Sequence, residues 1–166
     1  IKEQFDHIVK AYNTGATQNE SGEYGPNYID VCTYTNYEDE DTLSVLFFYG
    51  LGATDIPWPD YYTYNFDLKD GSKLSFESLC NKRGIKNDEA KALIEKNLKQ
   101  AHEETVNYLE KDEKEKYYNE TMKNFEEAFS KDEIQYFLNS EGELQVIVKL
   151  YTAAGRGWID QIITVK

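Results

Sequence analysis

An α+β fold, in which an antiparallel sheet carries two or three helices packed on one face, is the architecture this sequence predicts. Three observations predict it. Residues 61–79 hold a period-two run, with Tyr62, Tyr64 and Phe66 alternating with Thr63, Asn65 and Asp67, closed by the hairpin dipeptide Asp70-Gly71. A block of helical periodicity from residue 87 to about residue 130 separates strand-like runs before it from strand-like runs after it. Strands and helices do not alternate one by one, as a parallel sheet of βαβ units requires.

Taken in order, Ile1, Phe5, Ile8, Val9 and Tyr12 fall at helical spacing and predict an amphipathic first helix, with Lys2, Glu3, Asp6 and Lys10 toward water. Residues 14–27 are polar, glycine-bearing and without an apolar period, so they read as a loop. Residues 28–37 and 42–49 are rich in Tyr, Val, Thr and Phe and read as strands, with the acidic run at 38–41 as their solvated hairpin tip. Residues 50–60 break the pattern with glycines and prolines. There Trp58, between two prolines, is excluded from a central strand and is either a plug over the core edge or a contact residue. Leu74 and Phe76 lead into a short helical turn.

Asn87, followed by Asp88 and Glu89, marks a helix start, and Leu93, Ile94, Leu98, Ala101, Thr105, Val106 and Leu109 extend one apolar face. Residues 111–116 are a charged break or a continuation, and Tyr118, Met122, Phe125 and Phe129 define a further helix ending near Ser130. Residues 133–138, 144–151 and 158–165 read as strands, the first two joined by a turn containing Gly142. Gly155-Arg156-Gly157 interrupts the last two, as a bulge, a crossover or a point of close approach.

At 166 residues the chain has the length of one domain. Eighteen basic against 31 acidic residues give a formal net charge of -13, which repels nucleic-acid phosphates and anionic lipid and attracts cationic partners. No run approaches the ~18 consecutive apolar residues of a membrane span. The chain begins at Ile1 and reads as a piece of a longer protein, with any membrane anchor in the missing N-terminal part. Cys32 and Cys80 are two buried small hydrophobes or, if the fold brings them together, a disulfide.

His7 and His102 lie on separate helices without a metal-spaced partner and read as surface residues, so neither a metal nor a cofactor is expected. Nucleophile-elbow, phosphate-loop and dinucleotide motifs are absent, and the carboxylate spacing around Gly71 does not make a calcium loop. No catalytic residue is assigned. Two glycosylation sequons, at Asn19 and Asn119, are patterns common by chance.

Three segments, residues 27–53, 61–79 and 134–165, together resemble one family: the RsiV-like extracellular domain of the anti-sigma-V factor, a bacterial domain of unknown function also attached to some peptidoglycan deacetylases. The YNFDLKDGSKLSFESL block, the FLNSEGELQV hairpin and the Ala153-Ala154-Gly155 step carry the likeness. It implies a non-enzymatic, extracytoplasmic sensing or binding domain on the cell surface, membrane-anchored in the full-length protein. In the receptor branch the ligand is lysozyme. Where relatives carry a histidine after the second strand, this chain reads Gly50-Leu51-Gly52-Ala53-Thr54-Asp55, so any role of that histidine is missing.

The expected partner is thus a cationic protein such as lysozyme or a cell-wall glycan. The alternative reading is a carbohydrate or peptidoglycan-recognition module of a wall-modifying enzyme, and a third is a carboxylate-pair hydrolase. The ligand surface is expected on Trp58, Tyr61 and Tyr62 together with Arg156 and Trp158, rigid aromatic and cationic side chains on loops.

Overall fold

The computed structural model describes Lys2, Asp6 and residues 28–52, 58–153 and 157–165. The fold is α+β, as the periodicities predict, with the strands divided between two three-stranded antiparallel sheets where a single sheet was expected. The first sheet has the order β1 (Tyr28–Glu38), β2 (Thr42–Gly52), β3 (Trp58–Asp67). Three helices follow: α1 (Phe76–Lys82), α2 (Asn87–Thr105) and α3 (Lys111–Ser130). The second sheet has the order β4 (Gln135–Leu138), β5 (Leu144–Tyr151), β6 (Trp158–Val165).

The chain divides into two compact units, Ile1–Tyr34 with Leu46–Tyr62, and Thr35–Val45 with Thr63–Lys166. In the first unit the rings of Phe48 and Tyr61 lie 5.9 Å apart and Tyr34 is 68% exposed. Of the expected first helix only Lys2 and Asp6 are described. Both are helical and exposed, and they form an i,i+4 ion pair at 2.7 Å. The rest of that helix and the loop at 14–27 lie outside the described residues.

The second unit holds the main core. Pairing aligns Tyr136 with Val146 and Leu138 with Leu144 between β4 and β5, and Val146 with Ile163 and Leu144 with Val165 between β5 and β6. Alternate strand residues share a face, so these side chains make one apolar face, against which Ile94, Leu98 and Phe125 pack from the helices. Phe76 of α1 meets the rings of Phe129 and Tyr136 edge-on at 5.5 and 5.3 Å, an arrangement favoured by the ring quadrupoles. Both long helices thus pack on the second sheet.

Several boundaries differ from the sequence reading. β2 runs on to Gly52 and β3 starts at Trp58, both inside the interruption expected over 50–60, whose residues 53–57 lie outside the described residues. Trp58 and Pro59 open β3, which stands at the end of its sheet order, where a missing N–H is tolerated, so Trp58 stays out of a central strand as its flanking prolines predict. Asn87 is the first residue of α2 and Lys86 occupies the capping position, with no side-chain cap bond. That helix stops at Thr105, and the break lies at 106–110 where 111–116 was one option. His102 was expected at the surface. It is 2% exposed, because it continues the buried stripe Ala90, Ile94, Leu98 at steps of four.

The buried polar residues have a common task. β4 bonds to β5 through alternate residues only, which leaves the backbone of Tyr136 and Leu138 facing outward. Side chains close that edge: Ser44 Oγ accepts from the Leu138 N–H at 2.7 Å, Thr63 Oγ1 from the Tyr136 N–H at 3.4 Å, and Asn65 Nδ2 donates to the Tyr136 carbonyl at 2.8 Å. β4 ends its pairing at Ile147, and beyond it Thr121 Oγ1 of α3 accepts from the Tyr151 N–H at 2.9 Å. On β6, Asn97 of α2 donates to the Thr164 carbonyl at 3.3 Å. Each bond satisfies a strand-edge group that burial would otherwise leave unpaired.

Candidate functional site

The best-organised polar site lies in the second unit, where the β1–β2 tip faces the end of α1. The sequence places Arg83 there by a helix stop: Gly84, at φ +70°, lets its N–H reach the Asn81 carbonyl while the Ile85 N–H reaches the Cys80 carbonyl. At the other end Ser75 caps α1 by accepting from the Ser78 N–H at 3.1 Å. A short helix closed at both ends holds Lys82 and Arg83 in fixed positions.

Asp39 organises the tip. Its Oδ1 accepts from the N–H groups of Asp41 and Thr42 at 2.9 and 2.8 Å, and its Oδ2 takes Arg83 Nη2 at 2.8 Å and the Tyr37 hydroxyl at 3.1 Å. Burial works to raise its pKa, but the Asp41 amide, the Arg83 guanidinium and the Tyr37 hydroxyl outweigh it and draw the carboxyl down to about 2. Arg83 lies over the Tyr37 ring at 4.9 Å, and the same ring covers Gly142, where a Cβ would come within 2.9 Å of it. The tip is therefore not the wholly solvated turn that its four acidic residues suggest.

Around this centre Lys82 pairs with Asp67 at 2.9 Å and Lys69 with Asp41 at 2.7 Å. The Lys82 hydrogen bond, then the Lys69 amide, hold the Asp67 carboxyl below its ordinary range. Asp39, Glu40, Asp41, Thr42, Lys82 and Arg83 line an open cleft of about 280 Å³. That is just under the size of small-molecule pockets, ~300 Å³ and upward, and fits one side chain of a partner better than a whole ligand. Glu38 and Glu40 are exposed beside it.

The residues expected to form the ligand surface are only partly gathered. Trp58, Tyr61 and Tyr62 fall in the first unit and Trp158 in the second. Tyr61 and Tyr62 are half-buried on β3, not on a loop. Arg156 and the Trp58 side chain lie outside the described residues. Trp158 opens β6, paired in register with Tyr151; their rings are 6.1 Å apart and Lys149 Nζ stands 4.9 Å from the Trp158 ring centre. Tyr151 and Lys149 were not anticipated. The signal for them was the alternation of β5, which puts 149 and 151 on the face opposite Val148 and Leu150.

The remaining candidates are structural. Cys80 is a buried free thiol whose pKa burial pushes up to about 12, as befits a small hydrophobe; Cys32 lies outside the described side chains. Thr121 of the second sequon is buried in α3, with its hydroxyl engaged by Tyr151. Among the described residues no three His, Cys, Asp or Glu side chains gather as a metal site, and no helix is long and apolar enough to cross a membrane. No family model matches the chain, and a search of curated proteins finds no match either.

Proposed function

We propose that this chain is a non-enzymatic, extracytoplasmic ligand-binding domain of the RsiV-like kind, and that its partner is a cationic protein such as lysozyme. The observation that supports this most is the acidic tip: Asp39 is held ionised by its bonds to Arg83, Tyr37 and the turn amides, and Glu38 and Glu40 stand exposed around it. A rigid acidic projection on a chain of charge -13 steers a basic protein and orients it on arrival. The small cleft beside the tip suits a lysine or arginine side chain, with Glu40 as its counter-charge.

The test is the binding of a cationic lysozyme, followed by biolayer interferometry from about 50 mM to about 500 mM NaCl, a range over which screening shrinks from roughly 14 Å to roughly 4 Å. Affinity is expected to fall with salt, and the Glu38→Lys, Glu40→Lys double variant to bind more weakly at low salt with unchanged thermal stability. Absence of binding at low salt, or turnover of peptidoglycan by the purified chain, overturns the reading.

A second reading, recognition of cell-wall glycan, is favoured by the Tyr151–Trp158 ring pair with Lys149 against it. Aromatic ring faces suit sugar rings. Binding of chitooligosaccharides that is indifferent to salt and lost in Trp158→Ala selects this reading over the first.

A further inference from the structure

The second sheet closes its edges with side chains: Ser44, Thr63 and Asn65 on β4, Thr121 on β5, Asn97 on β6. On β6 the Gln161 amide also donates to the carbonyl of Ile162 at 3.2 Å. β1 is treated differently. It ends the order of the first sheet, and among the described residues no strand pairs with its outer edge. Thr35 and Asn36 are both exposed, and because successive strand residues point to opposite faces, both faces of β1 are open at that point. Among the described residues no side-chain hydrogen bond covers their backbone, and neither residue is a lysine or a proline of the kind that blunts an edge. The same strand then runs into exposed Glu38 and Glu40.

We propose that the outer edge of β1 at residues 35–38 receives an extended basic polypeptide segment by strand addition. This rests on the binding-domain reading above and specifies how its partner engages. Backbone N–H and C=O groups of β1 supply the affinity, as in other strand-addition sites, and side chains alternate between the two faces. The sign of the occupant follows from charge: Glu38 lies on the edge, Glu40 just beyond the same end, and the chain carries -13, so lysines or arginines at alternate positions are complementary and a second copy of this chain is not. Tyr37, packed on Gly142 and under Arg83, anchors the strand so that its edge is presented rigidly.

The experiment compares two fluorescent peptides of alternating lysine and threonine, one unmodified and one N-methylated at every second residue, by anisotropy against the whole chain. N-methylation keeps the charge and removes the strand hydrogen bonds, so the modified peptide should bind about tenfold more weakly or worse. Asn36→Pro should weaken the unmodified peptide similarly, with its melting curve recorded to show that the fold persists. Amides at residues 35–38 should gain protection from hydrogen exchange only with the unmodified peptide. Equal binding of both peptides means attraction by charge alone and overturns strand addition, while leaving the lysozyme reading to its own test. A peptide-free dimer abolished by Asn36→Pro equally overturns it, because the occupant is then a second copy.

Discussion

His102 is a polar side chain on an apolar stripe, and its surroundings decide its chemistry. The ring meets Tyr118 of α3 edge-on at 5.5 Å, and its Nε2 is buried with no hydrogen-bond partner. Burial lowers its pKa and the neighbouring Glu103, the charge acting on it, opposes this only in part. The folded state thus prefers the neutral ring, and the unfolded chain binds the proton more readily. The stability contributed by keeping the ring neutral is whole above the ordinary value of 6.5 and is lost as pH falls through the lowered folded pKa. Asp39 acts in the same direction further down, its contribution whole above 3.8 and lost as pH falls toward about 2. Urea midpoints should therefore fall between about pH 7.5 and about pH 5, and fall less in His102→Phe, which keeps an edge-on ring without a titrating nitrogen. Equal slopes in the two proteins would show that His102 is not the group responsible.

At the scale of elements, the polar side chains that close strand edges make a sharper claim than the apolar core. Ser44 is 0% exposed and its hydroxyl is the acceptor for the Leu138 N–H. Ser44→Ala removes few atoms but strands a buried donor, so a loss of about 1–3 kcal/mol is expected in chemical denaturation, and Thr121→Val should behave alike through Tyr151. Both variants within a few tenths of wild type would mean that water replaces the lost acceptors. These roles were not legible in the sequence, because Ser44 and Asn65 look like ordinary polar positions of half-buried strands. The groups they serve lie some 70 or more residues away, at separations of 71 and 94. What was legible is local: the alternation and turn signals of β4, β5 and β6 place those strands to within two residues. The end of α2 was missed because Val106 and Leu109 keep helical spacing while the backbone has already turned, with the Leu109 N–H on the Val106 carbonyl. The candidate site was half legible. The acidic tip stood out, but its tie to Arg83 crosses 44 positions and has no sequence period.

For the whole molecule, charge is the feature that the fold does not remove. The ion pairs among the described residues include i,i+3 and i,i+4 helix pairs such as Lys86–Glu89 and Lys131–Glu127, both well exposed, and pairs of that kind contribute about 0–1 kcal/mol each. Against them stands a net charge of -13, whose self-repulsion is relieved when the chain unfolds and expands. Added salt screens both, but not equally. The tip pairs Arg83–Asp39 and Lys82–Asp67 are partly buried at 2.8 and 2.9 Å and lose little, whereas the long-range repulsion between surface carboxylates is largely cut once the screening length drops below their spacing. The melting temperature should therefore rise as NaCl goes from about 20 mM to about 500 mM, whereas binding of the proposed cationic partner should weaken over the same range. A melting temperature that falls with salt would mean that specific ion pairs outweigh the net repulsion, and the acidic surface would then have to be read as a scaffold of its own rather than as a field offered to a partner.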